Sequence, residues 1–207
     1  MAQGTRGKRR AWWPAVSGIA AVACVLVVAA CLGTLSHDSF AEAVALAPAP
    51  TLNLPVRDSR PYWLLRRQPG WLGAHKVIFG GAASDRGRTI IRAARFRDEA
   101  SAALAAARLT PAYMQRLWPA EMQTPPQPVA FPVPLPGDTV LVTEYGLRLP
   151  PEEVPTEAIL VQLIVLRVGR TVIVIDSVGI PREELALVVE ALVGAVKWLE
   201  AAERPER

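Results

Sequence analysis

AILVQLIVLRV, then GR, then TVIVIDSV, is the reading of residues 158–178, and this stretch decides the fold. β-Branched residues dominate both apolar runs, and such side chains suit a pleated, packed surface. The break between them is only Gly169 and Arg170. A two-residue break containing glycine is the length and chemistry of a tight hairpin. The stretch therefore predicts an antiparallel hairpin at the centre of a sheet. Downstream, Gly179-Ile180-Pro181 ends the second strand and opens a helix, with Pro181 in its first turn and Glu183 and Glu184 at its positive end. Leu185, Val188, Val189, Leu192, Val196 and Leu199 follow at helical spacing and form an apolar face long enough to cover the sheet.

Upstream, Gly137-Asp138 turns the chain into an alternating strand over 139–145, and a polar, proline-marked loop lies around 150–155. Residues 124–136 contain six prolines. Such a segment cannot donate a continuous ladder of hydrogen bonds, so it reads as an extended surface connection, with a polyproline ligand for a partner as the alternative. Earlier still, Asp98 is placed to cap an alanine-rich helix over 100–109, and Thr110-Pro111 starts a shorter one through Trp118. Residues 76–79 and 88–96 read as a further hairpin, joined by Gly80-Gly81 and the turn at 84–87. The sum is an α+β domain over 62–203, an antiparallel sheet with helices packed on one face. Residues 204–207 form a tail. Pro48, Pro50 and Pro55 punctuate 36–61, which reads as a linker.

That linker follows a different kind of segment. No formal charge falls between Arg10 and Asp38, and 11–35 is mostly Ala, Val, Leu, Ile and Gly. About 20 such residues cross a bilayer as a helix. Arg6, Lys8, Arg9 and Arg10 precede the run, while Asp38 and Glu42 follow it. The positive-inside bias puts the tail 1–10 in the cytoplasm and the remainder outside, an N-terminal single-pass topology in a bacterial-type cell membrane. Trp12 and Trp13 fall at the inner headgroup level; Trp63 and Trp71, interleaved with Arg66 and Arg67, read as a loop whose aromatics pack on the domain, with a place at the outer headgroups as the alternative. Three fates of the segment stay open: an uncleaved signal anchor, lipidation at Cys31 after the lipobox-like Val28-Ala29-Ala30, or cleavage after Ala43.

The anchor also explains the bulk composition. The chain carries a net charge of +4, and the four cations of residues 6–10 account for all of it. From Asp38 onward nineteen basic residues face nineteen acidic ones, which removes the field that nucleic-acid binding requires. The neutral part is nonetheless uneven, because 57–97 holds ten basic residues against Asp58 and Asp85. Cys24 and Cys31 both lie in the apolar run, so the outer domain has no disulfide and no thiolate ligand.

Residues 164–175, IVLRVGRTVIVI, with the helix that follows, are similar to the closing hairpin and helix of small extracytoplasmic domains of bacterial lipoproteins and membrane sensor proteins. The helix after Phe96-Arg97-Asp98 resembles their earlier helix. The likeness covers about half of the chain, is one of fold pattern, and carries over no functional residue. It implies a ligand-binding, sensing or assembly module, and the proline segment departs from its pattern.

Catalytic motifs are sparse. His37 and His75 cannot assemble a metal set without further ligands, and Ser84, Ser101 and Ser177 lack a nucleophile setting. Asp98/Glu99, Glu152/Glu153 and Glu183/Glu184 are adjacent acids, which do not face each other on a helix. Asp176, surrounded by an apolar run, is the acid of most interest, and Arg167 or Arg170 across the hairpin is its expected partner in a structural ion pair. The expectation is a membrane-anchored binding or sensing domain with no catalytic, cofactor or metal site, whose partner beyond the lipid is a protein or small ligand. An accessory subunit of a membrane complex is the alternative.

Overall fold

The computed structural model describes residues 37–81, 87–118, 124, 126–131, 134–146 and 159–203. The basic tail, the apolar run and the 204–207 tail lie outside the described residues, with Trp12, Trp13, Cys24 and Cys31. Among the described residues no helix is long and apolar enough to cross a membrane.

The expected hairpin is present as β6 (Leu160–Val168) and β7 (Thr171–Val178), with Val168 opposite Thr171. Gly169 takes a φ of 52°. Side chains avoid that left-handed region, and the first position of a two-residue turn requires it. β7 also pairs with β3 (Arg88–Phe96), and β6 pairs with β5 (Asp138–Gly146). β3 pairs in turn with β2 (Trp71–Gly80), β2 with β1 (Val56–Pro61), and β5 with the two-residue β4 (Gln127–Pro128). The result is an antiparallel sheet of order β1-β2-β3-β7-β6-β5-β4, with the hairpin at its centre. β4 is drawn from the proline segment, whose Val129 N–H donates to the Val142 carbonyl at 3.1 Å.

Two expectations are corrected. The stretch 36–61 is not a linker: it holds α1 (His37–Leu46), α2 (Ala49–Leu52) and the edge strand β1. Phe40, Ala43, Val44 and Ala47 recur at i, i+3, i+4 and i+7 and are buried. That is the helical periodicity which the neighbouring prolines disguise. The helices also cover both faces of the sheet. On one face α1, α2 and α5 (Arg182–Ala202) pack on Val77, Phe79, Ile91, Ile164, Leu166, Ile173 and Ile175. On the other, α3 (Glu99–Ala107) and α4 (Pro111–Leu117) pack on Ala94, Phe96, Leu163, Val165, Val172 and Val174. Successive strand residues point to opposite faces, so a strand buried on both must be apolar at consecutive positions. β7 is such a strand, buried at each of its first seven residues.

The caps agree with the residue chemistry. Asp98 accepts the Ser101 N–H at 2.7 Å before α3, and Thr110 accepts the Tyr113 N–H at 3.3 Å before α4. Pro181 occupies the cap position of α5, immediately before the helix. The far end of α5 returns to the central turn, where the buried Glu200 accepts the Arg170 N–H at 2.9 Å and the Thr171 hydroxyl at 3.2 Å. A β-carbon at position 169 would lie 2.0 Å from a Glu200 carboxylate oxygen, so a side chain there would displace the carboxylate that accepts the Arg170 N–H.

Candidate functional site

Register places the most chemically loaded cluster on the α3/α4 face. Asp176 on β7 is opposite Ile90, and Arg92 lies two residues further along β3, on the same face. The two form an ion pair, with side chains 5% and 1% exposed. Arg92, and not Arg167 or Arg170, is therefore the partner of Asp176. The expected partners are engaged elsewhere: Arg167 pairs with Asp138 and Arg170 with Glu203 at 2.9 Å. The correction is geometric, because both arginines stand at the hairpin tip while Asp176 is near its open end.

The pair is enclosed by aromatic groups. The Arg92 guanidinium lies 4.4 Å from the centroid of the Trp118 ring and 5.9 Å from that of Tyr62. The Tyr145 hydroxyl donates to the second Asp176 oxygen at 3.4 Å. A guanidinium is the cation best suited to such a place, since its flat faces stack on rings while its edge binds a carboxylate. Thr143 points to the same face, and its buried hydroxyl has no hydrogen-bond partner among the described residues. Desolvating two ions costs several kcal/mol each, and their attraction repays it only in good geometry. A buried pair of this kind is therefore weak evidence of net stability.

Arg92, Tyr62, Trp118 and Tyr145 were missed by the sequence reading. A usable signal existed. Arg92 interrupts the apolar positions of β3 as Asp176 interrupts those of β7, and two opposite charges stranded in apolar strands are candidates to meet.

The remaining candidates are dispersed. His75 is buried on β2, and its Nε2 lies 2.8 Å from the Ser59 hydroxyl on β1. Ser177 and Thr89 share a buried hydroxyl contact at 3.0 Å, while Ser101 serves the cap of α3. Glu183 and Glu184 occupy the first turn of α5. Ser84 and the pair Glu152/Glu153 lie outside the described residues. Among the described residues no group of three or more His, Cys, Asp or Glu is placed to hold a metal ion.

Trp63 and Trp71 are separated by their surroundings. The Trp71 N–H donates to the Leu64 carbonyl at 2.9 Å, and its ring packs against the α3/α4 core. Trp63 is 64% exposed, with the Arg66 guanidinium 5.1 Å from its ring centroid.

Two hollows open at the end of the sheet that bears the β6–β7 turn. One, of about 320 Å³, is lined by Glu99, Asp138, Arg167, Gly169, Lys197 and Glu200, a mixed-charge wall. The other, of about 200 Å³, lies between Phe40, Leu72, Gly73 and Arg95. Arg95 pairs with Glu203 and sits 5.9 Å from the Phe40 ring centroid. Burial lowers the pKa of its guanidinium and Arg170 lowers it further, against the opposing effect of Glu200.

No family model matches the chain. No curated protein matches it either. Among solved structures it is similar to the extracellular domain of PknH from Mycobacterium tuberculosis, with a TM-score of 0.49 at 7% sequence identity, over 75% of this chain and 94% of that one.

Proposed function

We propose that the chain is a membrane-tethered extracytoplasmic domain that binds a ligand or protein partner and performs no catalysis. The observation that carries the reading is the charge step across the apolar run, with four cations before it and Asp38 and Glu42 after it. Arg92 and Asp176 neutralise each other, and Glu200 is committed to the central turn. The mixed-charge hollow near that turn is lined by Lys197 together with the Arg167–Asp138 pair, polar chemistry that can receive a small charged ligand.

An alkaline phosphatase reporter fused after residue 203 tests the topology. Activity in intact cells is expected, and an inactive fusion that is nonetheless expressed would overturn the reading. Intact mass of the extracted chain then identifies its tether, a species beginning at Cys31 with added acyl mass marking a lipoprotein. An accessory subunit of a membrane complex is the second reading. Native mass in mild detergent separates the two, since a lone monomer counts against the subunit.

A further inference from the structure

The sheet ends at β1, whose residues are exposed except for the half-buried Asp58. β1 is the last strand of the sheet order, so among the described residues no strand pairs with its far side. The Tyr62 N–H donates to the Ala74 carbonyl at 2.9 Å, in register with the β1–β2 ladder. Backbone direction alternates along an antiparallel strand, so Asp58 and Arg60 also turn their N–H and carbonyl groups to β2. Ser59 turns both of its own outward, with the Pro61 carbonyl next along the edge.

An open edge invites pairing, and charge or proline usually blunts it. β1 has both, yet its charges are ordered. Arg60 stands directly opposite Lys76 on β2, a like-charge pair that is unfavourable across strands. Asp58 lies two residues back on the same face, 3.1 Å from the Arg60 Nε. A second β1 set antiparallel to the first and centred on Ser59 complements this pattern. Asp58 then faces Arg60 of the second copy, Arg60 faces its Asp58, and the two Ser59 residues exchange both outward hydrogen bonds. Other self-registers fail. Centring on Arg57, Asp58 or Arg60 sets like charges against each other, and centring on Pro61 removes the central donors.

We infer that β1 is a self-association edge, through which two copies of the chain join by antiparallel β1–β1 pairing about a two-fold axis at Ser59. The sheet continues from one copy into the other. Arg60 gains a carboxylate directly across from it, on the side away from Lys76, and the two-fold axis repeats the contact. Pro61, which has no N–H, keeps the ladder short, so the charges select the register. The inference is independent of how the chain is tethered.

The test measures the native mass of the full chain in mild detergent across a dilution series, where a dimer in equilibrium with monomer is expected. Asp58→Arg and Arg60→Asp each set like charges opposite one another at both symmetry-related places, and each should weaken the dimer by about tenfold or more. Mixed in equal amounts, the two variants should form a heterodimer, because the new charge of each meets its opposite on the other. Both variants break the Asp58–Arg60 contact within their own chain, so only pairing between chains restores the mass. The exchanged chain, Asp58→Arg/Arg60→Asp, should dimerise as wild type does. Wild type that stays monomeric at every concentration overturns the inference, and so does a dimer that neither single substitution weakens. Single variants that remain monomers when mixed overturn it as well.

Discussion

At the scale of single residues, Arg92 and Asp176 show that burial and stability are separate matters. Each ion is nearly inaccessible and each is the other's main compensation. Removing one leaves an uncompensated charge in a dry site, so Asp176→Ala is expected to cost about 3–5 kcal/mol. Replacing both together, as Arg92→Met/Asp176→Leu, removes the charges and their desolvation at once. The double variant is expected to fall within about 1–2 kcal/mol of wild type. Urea unfolding of all three proteins measures this. Single and double variants equally destabilised would sink the account. Asp176 itself was visible in the sequence as an acid in an apolar run, but its partner was not. A hairpin suggests neighbours within itself, whereas Arg92 reaches Asp176 through a strand pairing between residues 84 apart.

At the scale of elements, legibility followed the purity of the local signal. β6, β7 and α5 were readable because apolar runs, a glycine turn and helical spacing all agreed. α1 and β1 were not, because prolines at 48, 50 and 55 mark boundaries between short elements as readily as they mark a linker. The two-sided packing is hidden for a related reason: strand propensity alone accounts for the apolar runs of β6 and β7, although their consecutive burial needs cover on both faces. The cap of α3 was readable, and it yields a pH dependence. The Ser101 backbone N–H, foremost, holds the Asp98 carboxyl below its ordinary pKa of 3.8, with help from the Ser101 side chain and Arg97. A carboxyl depressed in the folded state stabilises it above the unfolded value, and that contribution fades as pH falls through the folded one. Asparagine also caps but does not titrate. Wild type should thus melt above Asp98→Asn at neutral pH and lose that advantage in acid below the ordinary value. A Tm difference that stays constant across the titration would remove Asp98 as its source.

At the scale of the whole molecule, the question is where the folding unit begins. A boundary at residue 62, where the sequence placed it, would discard β1 and leave β2 as an edge strand with a row of unpaired backbone groups. It would also remove Phe40, Val44, Leu52 and Leu54 from the core that α5 shares, uncovering Val77 and Phe79 on the sheet. Burying four such side chains is worth on the order of 10 kcal/mol. A domain of this size has only about 5–15 kcal/mol of net stability, so the loss is comparable to the whole. A chain starting at Ser36 should unfold in one cooperative thermal transition with fixed near-ultraviolet tryptophan signals. A chain starting at Tyr62 should lack that transition and bind a hydrophobic dye. Cooperative melting of the shorter chain at a similar Tm would return 36–61 to the status of a linker.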